Sequence, residues 1–334
     1  MGNYSDVREF LILGFSEFPE LQFPLFTLFL FIYLMAVLGN LLIICIVCAD
    51  RHLHTPMYFF LANLSIIDIC SLTVTVPKLL AVLLTQNNAI PFSDCILQMY
   101  CYVICVATEF TLLAVMAYDR YVAICNPLRY TIIMNRRVCA LLAAVSWIGG
   151  FIETLPQVIM VSHFSFCGSN EILHFFCDLT ALTKLTCTET SAIELLNYTE
   201  GLIMDLTSFS LILTSYVCII LSILKTIHSA EGRRKAFSTC SSHLMVVFLF
   251  YTTLLCVYLR PSSVNNMDEN KLVTVTFIFL IPLVNPLIYS IRNKDLKVAL
   301  QKSFIRRLSL SVNKNKKEIA LATQDNMSSR NEME

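Results

Sequence analysis

Two sets of residues in this chain could do chemistry, and neither resembles an enzyme's. Asp119 and Arg120 stand side by side in MAYDRYVAIC, Met116 to Cys125, at the end of an almost uncharged run that begins near Ile96. A charge at the edge of an apolar segment is costly, so the adjacent acid and base are expected to neutralise each other until the arginine is offered another partner. That arrangement describes a latch; the plainer alternative is an arginine that reaches the lipid headgroups as a topology anchor. The second set is a pair of carboxyls, Asp68 and Glu109, each deep inside an apolar run. Asp68 lies eleven residues beyond Met57, the start of its run, and Glu109 eleven residues before Arg120, so at 1.5 Å per residue both fall ~16 Å from the same end of their helices. Acids sharing one buried layer either take up protons or hold a cation between them. No zinc-ligand motif, phosphate-binding glycine loop or nucleophile elbow is present, no enzyme activity is expected, and a lone loop histidine, His174, is more simply structural than metal-binding.

The elements that must position these groups follow from composition. The 334 residues are 56% hydrophobic and 14% charged, and their mean hydropathy is +0.68; this is the profile of a membrane protein. About 20 apolar helical residues cross a bilayer core, and seven stretches qualify: 25–48, 57–80, 96–124, 138–161, 202–227, 236–259 and 272–291. Eighteen of the 24 Lys and Arg residues fall in the turns after the first, third and fifth stretches or in the tail, which predicts that side as cytosolic and the amino terminus as extracellular. The expected organisation is an extracellular segment 1–22, a seven-helix bundle 23–293 in the lipid bilayer, a basic amphipathic helix 294–307 on the inner surface, and a polar, disordered tail 308–334. No cleavable signal peptide is apparent, and Asn3-Tyr4-Ser5 is a glycosylation acceptor on the outward side. Of the fourteen cysteines, Cys95, Cys167, Cys177 and Cys187 face outward, and spacing alone leaves their three possible pairings open.

Six motifs occur in register. Gly39-Asn40, LHTPMYFFLANLSIIDIC from Leu53, MAYDRYVAIC, Ser215-Tyr216, KAFSTCSSHL from Lys235 and PLVNPLIYSIRN from Pro282 resemble the signature set of vertebrate olfactory receptors, within the rhodopsin-like G-protein-coupled receptors. The match runs from about residue 9 to 307, and His174-Phe-Phe-Cys-Asp178 is most similar to the class II branch. The resemblance implies a Cys95–Cys177 bridge and a Cys167–Cys187 bridge. It implies a polar or sodium-binding layer of Asn40, Asp68, Glu109 and Asn285. It also implies a switch of Asp119, Arg120, Tyr121, Tyr216, Asn285, Pro286 and Tyr289 that rearranges when a G protein inserts. One departure is Thr252, where the family's Phe-Tyr-Gly-Thr places glycine; closer packing near Tyr251 is expected to suffer.

The function implied is binding of a small volatile odorant in the outer half of the bundle and activation of a heterotrimeric G protein of the stimulatory olfactory type, raising cyclic AMP, at the plasma membrane of olfactory cilia. Helix positions one turn apart above Glu109 nominate Tyr102, Val103, Val106, Met204, Tyr251, Leu255, Tyr258 and Ile278 as ligand contacts. No cofactor beyond a sodium ion and no nucleic-acid partner is expected. The alternative is a receptor of the same architecture for a non-odorant small molecule outside the nose. A retinal protein would need a lysine within 272–291, which has none, and a transporter would show internal repeats.

Overall fold

Long apolar runs closed by polar turns can satisfy their backbone only as helices once water is absent. The computed structural model describes residues 8–15, 19–167, 169–226, 229–258, 267–292 and 295–302. After a short strand β1 (Glu9–Ile12) come α1 (Gln22–Ala49), α2 (Pro56–Thr85), β2 (Ala89–Pro91) and α3 (Phe92–Cys125). A single turn, α4 (Tyr130–Ile133), precedes α5 (Arg136–Ser162); then follow β3 (Glu171–Ile172), the short α6 (Leu179–Thr183), α7 (Ser191–Thr226), α8 (Ala230–Tyr258) and α9 (Met267–Arg292). Six of these helices are long and apolar enough to cross a membrane, and α8 supplies the seventh with a shorter apolar core, Cys240–Thr253. Lipid-facing surface is correspondingly greasy: Phe23, Phe31, Leu141, Ile152 and Leu206 all stand exposed.

Local chemistry sets the helix ends. Pro56 opens α2 at a position where its missing N–H costs nothing. The Asn135 side chain accepts from Arg137 N and Val138 N, at 3.0 and 3.1 Å, and so starts α5 two residues before the apolar run. The fifth spanning helix starts at Ser191, well before the expected residue 202, because its first three turns are polar and helical at once. Asn197, placed by hydropathy at the end of a long loop, is therefore helical.

In the bundle α3 is central, packed on α2, α5 and α7, while α1 lies against α2 and α9. Two close approaches depend on glycine. A Cβ on Gly39 would meet Pro286 Cγ at 3.2 Å, and one on Gly150 would meet Thr108 Oγ1 at 2.6 Å and the Ile104 carbonyl at 3.1 Å. Thr252, by contrast, is exposed on the outside of α8. The glycine-to-threonine departure therefore falls on a surface where no helix needs close access, and the expected loss of packing does not arise.

Hydropathy did not announce the cap at one end. β1 pairs antiparallel with β2, Phe10 opposite Ile90, and parallel with β3, Leu11 opposite Glu171, giving a sheet in the order β2-β1-β3. Phe10 and Ile12 are fully buried in a cluster with Ile90, Cys95, Phe166 and Cys177, so these residues of the amino-terminal segment are core rather than a loose lead. At the opposite end, residues 295–302 are helical, with Leu296 and Ala299 buried and Lys297 and Lys302 exposed. Tyr58 OH donates to Asp295 there at 3.3 Å, fastening this helix to α2.

Candidate functional site

The disulfide end comes first in the chain. Cys95, at the start of α3, is joined to Cys177, and Cys167 to Cys187, with Cα–Cα separations of 5.4 and 5.8 Å. Gln98, one turn along α3, fixes the same region: its amide donates to Val74 O at 2.8 Å while its carbonyl accepts from Cys177 N at 2.9 Å. His174 is buried, stacked on Phe175 with centroids 4.6 Å apart, and its Nδ1 has no hydrogen-bond partner. Burial holds its ring nitrogen below the ordinary 6.5; the nearby Asp178 carboxylate opposes that shift and Lys271 adds to it.

Below this cap stand the nominated contact residues. Tyr102 meets Phe176 edge-on, centroids 5.0 Å apart. Val103 packs instead with the outer cluster of the cap. Val106 and Ile278 line a small cavity between α3 and α9 whose wall also includes Ser71, Cys105, Glu109 and Phe277. Tyr251 OH lies 2.7 Å from Ser208 Oγ, which also donates to Met204 O at 2.6 Å, so α7 and α8 are linked at this depth. The side chains of Leu255 and Tyr258, like Asn3, lie outside the described residues.

The middle layer is polar and closed. Asn285 Nδ2 donates to both Asp68 oxygens, at 3.1 and 3.3 Å. Asn40 Nδ2 donates to Ala36 O at 3.0 Å and to Pro282 O at 2.9 Å, so its amide nitrogen serves the backbone at a proline rather than a carboxylate. Pro282 and Pro286 interrupt the hydrogen-bond ladder of α9, which leaves such carbonyls free. Three oxygens, Asn40 Oδ1, Glu109 Oε1 and Asn285 Oδ1, are buried without a partner.

At the far end Arg120 is bound within its own helix. Its Nη2 and Nε lie 2.5 and 3.1 Å from Asp119 Oδ2, and Asp119 is fully buried. The other Asp119 oxygen accepts from Tyr130 OH at 2.8 Å. Burial, and next the Asp119 carboxylate, push the Tyr130 hydroxyl well above its ordinary value, so it stays a donor. Tyr216 OH lies 2.6 Å from His243 Nδ1 with the rings stacked. Tyr289 is fully buried with its hydroxyl unpaired, and Tyr121 is half-buried beside Tyr118.

Sequence reasoning had no signal for Tyr130, which sits in a turn, and left His243 unused although it closes the KAFSTCSSHL motif. Between α5 and α7, Gln157 Nε2 donates to Glu200 at 2.7 Å. The described residues hold no set of three His, Cys, Asp or Glu side chains suited to a metal ion.

Comparison with known proteins agrees with this geometry. The crystal structure of squid rhodopsin superposes with a TM-score of 0.66 over 87% of both chains at 15% identity, which shows the seven-helix fold of rhodopsin-like receptors. Mouse olfactory receptor 1M1 is 48% identical over 309 residues, 92% of this chain and 98% of its own length. Human olfactory receptor 1F1 is 48% identical over 300 residues, 90% of this chain and 96% of its own. The profile of the family described as olfactory receptor matches residues 29–307. This chain belongs to the olfactory receptor family, a family of multi-pass membrane receptors and not of enzymes.

Proposed function

We propose that the protein binds a small, mostly apolar volatile between the helices of the disulfide end. Binding favours the arrangement that opens the Arg120 end to a heterotrimeric G protein of the stimulatory olfactory type, and cyclic AMP rises. The observation that carries this reading is the continuity between cavity and polar layer: Val106 and Ile278 border the same small space as Glu109. A ligand at that wall has a route to the groups that hold α9 in place. The disulfide end faces outward, as two disulfides and the basic residues of the opposite end favour, and the receptor works at the plasma membrane, in cilia of olfactory neurons.

The resting state holds a sodium ion between Asp68 and Glu109. Two carboxyls with unpaired amide oxygens of Asn40 and Asn285 make an all-oxygen donor set, which suits a hard cation. Raising sodium then lowers basal signalling, and Glu109→Gln blunts the response. The decisive experiment for the whole reading is a volatile library applied to cells displaying the receptor, with cyclic AMP as readout. Odorant binding without a rise in cyclic AMP would refute the coupling, and no response to any volatile would refute the ligand class.

A further inference from the structure

We propose that Glu109 recognises the polar end of the ligand and selects molecules that end in a hydrogen-bond donor, an alkyl alcohol or a primary amine. The inference rests on the odorant-receptor reading above. Glu109 is only 7% exposed, and its Oε1 has no partner although it borders a cavity. The rest of that wall is largely apolar, from Val106, Phe277 and Ile278. Its other polar side chains are Ser71 and Cys105, whose rotatable hydrogens adapt to either role. No amide, guanidinium or ammonium side chain on the wall offers a fixed donor. The space holds about one water-sized group, which suits a terminal hydroxyl or amine. The alkyl body would lie along Val106 and Ile278 towards Tyr102, one turn away on α3.

The chemistry follows from what Oε1 can do. As a carboxylate Glu109 only accepts, and as an acid it still has a carbonyl oxygen that accepts, so a donor head pairs with it in either state. An ether oxygen never satisfies an ionised Oε1 and leaves a buried acceptor unmatched. A pocket built around one such acceptor rejects analogues lacking the donor far more strongly than it rejects a changed methylene. The same step reaches the switch. A head group seated on Glu109 competes with the ion beside Asp68, and Asp68 is the acceptor that holds Asn285 of α9.

The test uses cells displaying the full-length receptor and matched straight-chain volatiles from butyl to decyl: each 1-alkanol, its 1-alkylamine, its methyl ether and its aldehyde. Alcohols and amines are expected to activate at concentrations about tenfold or more below the ethers of equal length. Glu109→Gln, whose amide both donates and accepts, flattens that ranking and improves the aldehydes. Glu109→Asp keeps the acid but withdraws it by one methylene, so the best alcohol becomes longer. Ethers as potent as alcohols on the unmodified receptor would overturn the proposal, with no variant needed. An unchanged ranking in surface-displayed Glu109→Gln would do the same. Silence across the panel, in contrast, would sink the odorant reading itself.

Discussion

The Tyr216 hydroxyl and His243 Nδ1 lie 2.6 Å apart, both side chains are buried, and together they tie α7 to α8 at the end where Arg120 sits. The Tyr216 hydroxyl is thus engaged with His243 rather than with Arg120, whose charge Asp119 already balances. Removing the imidazole frees the phenol. His243→Leu is expected to raise basal cyclic AMP by roughly fivefold, the equivalent of one buried hydrogen bond of about 1 kcal/mol. Tyr216→Phe loses the same bond and should not raise it, because the switch implied by the family resemblance uses the freed hydroxyl in its active arrangement. Equal basal signalling in His243→Leu and the parent, at matched surface density, would separate this pair from the switch.

Arg120 tests the latch against the anchor. Asp119→Asn should raise basal cyclic AMP, and Tyr130→Phe should do so more weakly, since it removes one neutral donor from Asp119. Arg120→Ala, displayed in equal amounts, should lose the odorant response while keeping odorant binding. Arg120→Lys should also fail, because an ammonium cannot copy the two-nitrogen contact with Asp119 Oδ2. Full signalling from the lysine receptor would return Arg120 to the role of topology anchor.

Neighbouring glycines in α5 should behave oppositely. Gly150→Ala places a methyl 2.6 Å from Thr108 Oγ1, which is held by its own 2.7 Å bond to Ile104 O, and 3.1 Å from that carbonyl. A cost of about 1–3 kcal/mol from overpacking is expected. Nothing lies within 4 Å of the corresponding position on Gly149, so Gly149→Ala should be neutral or slightly stabilising. Thermal unfolding in detergent ranks the two variants, and equal stability would mean that α3 and α5 can part without penalty.

Acid should loosen the cap. His174 is neutral and buried, and its folded value lies below the ordinary 6.5, with Asp178 and Lys271 as its charged neighbours. Above 6.5 neither folded nor unfolded form takes a proton there, and the full stability remains. As pH falls below that value the unfolded form binds a proton first, so stability is lost until the folded value is passed. Melting temperature should therefore drop as pH falls through and below about 6.5, and His174→Phe should flatten that part of the profile. A parent profile no steeper than the variant's would remove His174 as the cause.

Hydropathy located the spanning helices and the motif residues because a bilayer demands a long uninterrupted apolar run, and little else in a chain looks like one. It failed where a helix outlasts the apolar stretch, as at Ser191, although Ser191-Ala-Ile-Glu194 carries the spacing of a helix-starting box. It also failed for β1, whose four residues gain their structure only from partners far along the chain. Asp68 and Asn285 are placed together by the family resemblance, whereas the contact of Tyr130 with Asp119 depends on the turn after α3 folding back. Val103 shows the limit of periodicity: it packs with the cap, although it stands only three residues before Val106 on the cavity wall.

The sheet of the cap also sets an order of assembly. β1 precedes every spanning helix, yet Asn170, whose side chain donates to Glu9 O, follows that residue by 161 positions in the chain. Adjacent helices such as α1 and α2 can pair while synthesis continues; the strand waits until β3, beyond α5, has been made. A closed cap therefore certifies that the first four spans all cross, since its three strands meet on one side of them. An antibody against the assembled β1–β3 surface would count only correctly threaded receptors, whereas a tag placed ahead of β1 would count every molecule delivered.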